Sequence, residues 1–359
     1  MENDSSCSVV RYSCGKMFRL LWVLQIIGYF LLIFVLDLNY LIMGFNLKTA
    51  FKLSRVYFKS QSSDVMKNSY EVGRKIEIGE PEIVHYLKNV IRLRPNEQVR
   101  IFNEVDGEFI CSYVNDGIES SRKKGKKASS HEAISFEILA KYRDIAEYLS
   151  RPRNQMEINL YFSPIRKENM KIVFEKCSEL GADHFYPVIT QNCQHRKLFT
   201  NDIENNHESK DITSFQNIII QSSEQSERLF LPKLHRVSTL NEFLTKYVSD
   251  PQFPIFICRE RSSISLPLLQ SLQDYMKSFP SIPIGTTTMR KIPFNLLIGP
   301  EGGFTEEEFH QIEEINQQKN PNIRMVSLGE NILKAETAAI HSVGLVQSFI
   351  DQYLTSTSR

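Results

Sequence analysis

Two hydrophobic rhythms divide the chain. From Arg55 to about Arg143 the segments KIEIG, EQVRIFN, EFICSYV and AISFEILAKY partly alternate apolar with polar residues and are broken by Gly and polar turns, which predicts short strands. Between them EIVHYLKNVIRL places Ile83, Val84, Leu87, Val90 and Ile91 on one face of a short helix. One helix among short strands predicts a small β-barrel. From about Met156 the rhythm changes to strands alternating with helices, the pattern of a parallel α/β sheet. EINLYFSPI, HFYPVIT and PIFICRE read as strands. NMKIVFEKCSELGA, SFQNIIIQSSEQSERL and LPLLQSLQDYMKSF read as helices, the first carrying Met170, Val173, Phe174, Cys177 and Leu180 and closed by Gly181. The expected organisation is a leader at 1–53, a barrel at 54–150 and an α/β domain at 151–359.

The leader has its own pattern. Leu20 to Leu36 is an uncharged apolar run behind Arg11, Lys16 and Arg19, and apolar character resumes after Asp37 as far as Leu47. The run approaches a membrane span in length and also fits a secretory core with its basic flank. The basic, hydroxyl-rich KTAFKLSRVYFKSQSS that follows resembles a transit peptide. A cleaved targeting segment, a retained anchor with membrane contact through residues 20–47, a mis-assigned start and a buried helix all stay open. An organelle or membrane location goes with the first two, a cytoplasmic one with the third.

Formal net charge is only +1 over 359 residues, so affinity for nucleic acid must come from local patches. Arg122, Lys123, Lys124, Lys126 and Lys127 form one such patch in a flexible loop, which meets phosphates, serves as a nuclear address or is simply solvated. The six cysteines are scattered without metal-ligand spacing, so neither a disulfide frame nor a metal site is expected.

Two loops near the C-terminus carry the chemistry. The run FNLLI at Phe294–Ile298 reads as a strand buried on both faces. It leads into Gly299-Pro300-Glu301-Gly302-Gly303, whose glycines let a ligand approach the main chain. Thr305 and Glu308 have capping-box spacing, so a helix starts at once. The loop is neither GxGxxG nor a Walker loop. The second strand ends at Leu328-Gly329, and a helix follows with Ile332, Ala335, Ala339, Val343, Val346 and Ile350 in helical period; Lys334, Glu336 and Thr337 stand at its beginning. Each loop alone fits an ordinary strand–helix turn. Together they suggest two backbone cradles at one sheet edge.

LLIGPEGGFTEEE followed by VSLGENILKAETAAI resembles the RsmE family of methyltransferases, which modify N3 of a uridine in small-subunit ribosomal RNA. EKCSELGADHFYPVITQNC, SSEQSERLFLP and HYLKNVIRLRPNEQVRIFN extend the resemblance over about Ser54 to Tyr353. It implies an α/β SPOUT domain tied in a trefoil knot, an N-terminal PUA-like barrel, a homodimer, S-adenosyl-L-methionine as cofactor and ribosomal RNA of the small subunit as partner. The implied cofactor residues are Ile298, Gly299, Pro300, Glu301, Gly302 and Gly303 with Leu328, Gly329, Ile332, Leu333, Thr337 and Ala338, joined by Arg259 and Glu260. Removing the N3 proton calls for a carboxylate or a cation. Glu301 and Glu336 are candidate bases, Lys334 and Arg228 candidate stabilisers. Arg92, Arg166, Lys167 and Arg196 are candidate RNA contacts. The sequence departs from the family at Glu330-Asn331, where a Pro-Arg pair is usual, and at Lys334, where arginine is usual. These departures leave open another RNA target, or an RNA-binding assembly factor without turnover.

Overall fold

The computed structural model describes residues 47–59, 70–114, 133–200, 209–249, 254–259, 265–277, 291–318 and 322–357. The apolar run at 20–36, the basic loop at 122–127 and Glu260 lie outside them. Contacts divide the chain into units Met1–Leu53 and Ser54–Arg359. In the first, Leu47–Lys52 is a short 3-10 helix. No described helix is long and apolar enough to cross a membrane.

The second unit begins with five strands, β1 (Arg55–Tyr57), β2 (Lys75–Ile78), β3 (Gln98–Asn103), β4 (Gly107–Val114) and β5 (Ile134–Arg143), in the order β1-β3-β4-β5-β2. β1 and β2 lie at opposite ends of that order. The expected barrel is therefore a half-barrel: β1, with only three residues, pairs with β3 alone. Alternation sends Ile76, Ile78, Val99, Ile101, Phe109, Cys111, Phe136 and Ile138 into one core. Helix α1 (Pro81–His85) and the π-helical turn Tyr86–Val90 cover that core through Leu87. Helix α2 (Ile145–Ser150), capped by Asp144, leads onward.

The α/β part consists of β6 (Met156–Phe162), α3 (Lys167–Glu179), β7 (His184–Ile189), α4 (Lys210–Gln225), β8 (Lys233–Leu234), β9 (Ser238–Thr239), α5 (Leu240–Ser249), β10 (Ile255–Cys258), β11 (Leu266–Pro267), α6 (Leu268–Met276), β12 (Ile292–Ile298), α7 (Glu306–Gln318), β13 (Ile323–Ser327) and α8 (Ala335–Thr357). The strands run β11-β13-β10-β12-β6-β7-β8, every pairing parallel. One face packs Ile158, Leu160, Phe294, Leu296 and Phe256 against α3, α4, α6 and α8. The other packs Val188, Ile255, Ile257 and Leu297 against α5 and α7. All seven residues of β12 are buried. Asn295, its polar member, accepts from Asn159 Nδ2 at 2.9 Å and donates to the Pro254 carbonyl at 3.2 Å.

An ion cluster joins the half-barrel to the α/β part. Glu108 on β4 is fully buried and faces Arg55 Nε at 2.8 Å, Arg100 Nη1 at 3.4 Å and Arg143. Those guanidiniums also grip the end of α4. Arg55 donates to the Ser223 carbonyl at 2.6 Å and to the Arg228 carbonyl, and Arg143 donates to the Glu227 carbonyl at 2.7 Å. Arg100 reaches the Glu227 carboxylate at 2.6 Å. The C-terminal end of a helix favours cations, so a surplus of arginine is stabilised there. Burial pushes Arg55 down to about 10, with Glu108 opposing the fall, so the group stays charged. Its guanidinium also stacks 3.5 Å from the Phe102 ring centroid.

Glu108→Ala would leave those arginines without their shared anion. We expect a loss of about 3–5 kcal/mol, read by urea denaturation; a loss under about 1 kcal/mol, the range of exposed pairs, would mean that the cluster is hydrated. At the start of β6, burial alone would raise the Glu157 carboxyl, but the His184 hydrogen bond and charge, with Lys291, hold it at about 2 against an ordinary 4.5. A depressed carboxylate contributes stability that is present above the ordinary value and lost as pH falls through the folded one. Glu157→Gln should therefore flatten the acid decline of stability in that window, measured by denaturation at stepped pH.

Candidate active site

Parallel strands end together, and among the segments that leave the sheet at its carboxyl edge are 163–166 after β6, 190–196 after β7, 299–305 after β12 and 328–334 after β13. Only β10 separates β12 from β13. At about 4.8 Å per strand step, the two glycine-bearing loops stand about 10 Å apart, a span suited to one nucleoside-sized ligand. Ile298 and Gly299 of the first loop share a narrow apolar cleft with Ala335 and Ala339 of α8 and with Phe162, Ser163 and Ile165. Leu328 and Leu333 are half-buried against the same core, and Ala338 is buried.

The loop floors are wired by hydrogen bonds. Ser163 donates its amide to the Ile298 carbonyl at 3.0 Å and shares a bond with the Thr190 hydroxyl at 2.9 Å. The Cys193 thiol lies 3.5 Å from the Pro164 carbonyl. Asn192 Nδ2 donates to the carbonyls of Gly302 at 3.2 Å and Gly303 at 3.0 Å. The capping box forms as expected, with Thr305 N donating to Glu308 Oε2 at 2.9 Å and Glu308 N to Thr305 Oγ1 at 3.2 Å. Ser163, Thr190 and Asn192 escaped the reading of the sequence. The available signal was their position, just past the ends of β6 and β7, where the edge of a parallel sheet collects its chemistry.

The structure brings Gly299, Pro300, Glu301, Gly302 and Gly303 to one edge with Gly329, Ile332, Leu333, Lys334 and the first turn of α8. Glu301, Lys334 and Thr337 are exposed there, Glu336 is half-buried, and Ile332 is 54% exposed. Burial raises the Cys193 thiol, while the Arg196 charge lowers it and Glu301 raises it, so both charges lie about that sulfur. Arg196 thus belongs to the same edge. Arg166, the residue before α3, is exposed there too, and Lys167 pairs with Asp211. Arg259 lies over the Phe309 ring at 3.9 Å and reaches Glu313 at 3.4 Å. Arg92 is exposed on the half-barrel with φ 59.

Arg228 is elsewhere. It donates to the Ser178 carbonyl at 3.0 Å and to Asp183 at 2.9 Å. Asp183 in turn accepts the Ile158 amide at the start of β6. That is the amino edge of the sheet, opposite the loops, so Arg228 braces the fold there. Gly303 has open space beside it. A Cβ there meets nothing within 4 Å, and the constraint is its φ of +69. Crowding belongs to Gly299, where a Cβ would come within 2.9 Å of the Phe304 ring.

Residues 152–347 match the family described as RNA methyltransferase domain, and residues 78–116 match the RNA methyltransferase PUA domain. The chain is 27% identical over 296 residues to ribosomal RNA small subunit methyltransferase E of Rickettsia conorii, covering 82% of this chain and 96% of that one. It is 24% identical over 268 residues to the protein of that name from Mesomycoplasma hyopneumoniae, covering 73% and 94%. Its fold is similar, at TM-score 0.55 and 22% identity, to the Neisseria gonorrhoeae protein of that name solved bound to S-adenosyl methionine, covering 82% of this chain and 97% of that one. A Legionella pneumophila protein solved with the same cofactor gives 0.57 at 22% identity, with the same coverage.

The glycine geometry separates two substitutions. Gly303→Val forces a β-branched residue into the left-handed region at a cost of about 1–2 kcal/mol, and we expect S-adenosylmethionine affinity to fall about tenfold by calorimetry. Gly344→Ala, whose Cβ would lie 3.7 Å from Leu180 within α8, should leave affinity unchanged and stabilise the helix by about 1 kcal/mol. Equal affinities for both variants would remove the loop from the binding site.

Proposed function

The chain belongs to the RsmE-type RNA methyltransferase family, and we propose that it methylates N3 of a uridine in small-subunit ribosomal RNA, with S-adenosyl-L-methionine as donor. The observation that carries this reading is the pair of glycine-bearing loops one strand apart at the carboxyl edge. The fit is chemical. Positive φ at Gly303 and Gly329 with open space beside each, and Ala335, Ala338 and Ala339 at the start of α8, leave main chain accessible to a nucleoside. The residues that would hold it are Ile298 to Gly303 on one side and Leu328, Gly329, Ile332, Leu333, Thr337 and Ala338 on the other.

When bound, the cofactor supplies a methyl group on a sulfonium, open to in-line displacement. The chain's own residues then have to align the uracil and take its proton. Glu301 and Glu336 are the candidate acceptors for the N3 proton. Lys334 is the candidate to hold the negative charge that develops on a ring oxygen. Arg166 and Arg196 are exposed at the same edge and suit phosphate contact, with Arg92 on the half-barrel as a more distant contact. The proposal includes a homodimer and a knotted chain. In support of the knot, α8 follows β13 on one side of β10 and packs against α3, β6 and β12 on the other.

Incubation of the full chain with labelled S-adenosylmethionine and undermethylated small subunits, followed by nucleoside mapping, tests the reading. Label on uridine N3 is expected. Label on a ribose oxygen would overturn the acceptor, and cofactor binding without transfer would favour an assembly factor, which the Glu330, Asn331 and Lys334 departures also suit. Lys334→Ala should cut transfer about 100-fold, the scale of one lost transition-state donor, while cofactor affinity stays nearly constant. Equal losses would place Lys334 in the donor site instead.

A further inference from the structure

Glu308 does more than a capping box requires. Its side chain is 4% exposed, and both carboxylate oxygens are engaged by main-chain amides from different loops. Oε2 takes the Thr305 amide at 2.9 Å, the local cap. Oε1 takes the Gln191 amide at 2.8 Å, across to the segment after β7. Burying a carboxylate is costly without strong donors, and charge-assisted bonds to amides offset that cost. A cap alone would leave this carboxylate at the surface. The second bond satisfies the oxygen that the local cap leaves open.

We propose that Glu308 is a positioning residue for methyl transfer, fixing the distance between the donor-side glycine loop and the acceptor-side segment 190–196; this rests on the methyltransferase reading above. The segment is held at successive residues: Thr190 by Ser163, Gln191 by Glu308, and Asn192 by the carbonyls of Gly302 and Gly303. Among these ties Glu308 is the one anionic group, and the one that links the segment to the helix start behind the glycine loop. Four residues past Asn192 stands Arg196, whose charge shares the neighbourhood of Cys193 with Glu301. Glu308 therefore sets where Arg196, and RNA lying on it, stand relative to the methyl donor. It touches neither reactant. A misplacement of about 1 Å at a reacting centre costs about 100-fold in rate.

The test compares Glu308→Gln with Thr305→Ala in the full-length protein. The carboxamide keeps the shape but turns one acceptor into a donor, so one of the two amides loses its partner. Thr305→Ala weakens the same helix start and leaves the Gln191 bond intact. Melting temperature, S-adenosylmethionine affinity by calorimetry, and single-turnover transfer to undermethylated small subunits are measured for each. We expect E308Q to lose about 100-fold in single-turnover rate with cofactor affinity within about threefold, and T305A to keep its rate within about threefold. Equal rate losses at equal loss of melting temperature would reduce Glu308 to a cap and overturn the proposal. If E308Q does not fold, Glu308→Asp replaces it, retaining the charge and a local cap while withdrawing from Gln191. If the wild-type chain transfers no methyl group, the functional reading fails on that result, and amide exchange across 190–196 decides the coupling alone. Faster exchange in E308Q than in T305A supports it, and identical exchange overturns it.

Discussion

The site depends on one constraint: β12 is buried on both faces over its whole length. A strand with no solvent face has no freedom of register, because a one-residue slip would exchange two packed cores at once. It is also flanked by parallel partners, β6 and β10, so its end is fixed beside theirs. Gly299 therefore begins at a defined height above the sheet, and Ser163 N meets the Ile298 carbonyl there. The buried Asn159–Asn295 pair adds a polar contact that only one register satisfies. Precision in the loops is inherited from the strand, which is how a site built largely of main chain can be specific.

The arginines show why composition is a poor guide to RNA binding in this protein. Arg55, Arg100, Arg143 and Arg228 look like four basic contacts in the sequence, yet all are spent inside, on Glu108, Glu227, Asp183 and helix-end carbonyls. The first three hold the half-barrel against the end of α4, and Arg228 braces the amino edge of the α/β sheet. Arg92, Arg94, Arg166 and Arg196 are left exposed. RNA recognition on the described surface therefore depends on where the exposed cations stand rather than on an excess of positive charge, in keeping with a chain whose net charge is only +1.

What could be read from the sequence follows from the range of the interactions involved. The alternation of strand and helix, the Gly181 stop and the Thr305–Glu308 box are local, decided within a few residues, and each is present in the structure. The pattern suggested the pairing of the two loops, and the resemblance made it specific, since no local rule fixes it. Arg228 was misjudged because its partners lie about 50 residues away along the chain, at Ser178 and Asp183, and nothing in SEQSERL points to them. The open edge of the half-barrel was missed for a related reason. Closure depends on whether β1 finds a second partner, and a three-residue strand carries no sign of that. Among Gly299, Gly302 and Gly303 the letters alone do not tell which takes the positive φ, here Gly303, and which is crowded, here Gly299, since both constraints leave the same letter in a sequence.

The division between main chain and side chain also bears on where the sequence departs from the pattern of the family it resembles. A donor site made of carbonyls, amides and small residues tolerates change in neighbouring side chains, provided the glycines and the strand ends persist. A relative at 27% identity over most of the chain is compatible with one donor chemistry on that ground. Glu330, Asn331 and Lys334 lie on the exposed part of the second loop, where a side chain can exchange without disturbing any buried contact. Replacing guanidinium by ammonium at such a place removes a planar two-pronged donor and keeps the charge. Such a change acts on the molecule that approaches from outside. On the proposed reading, the acceptor side of this site is where its specificity is free to drift, while the donor side is held by the sheet.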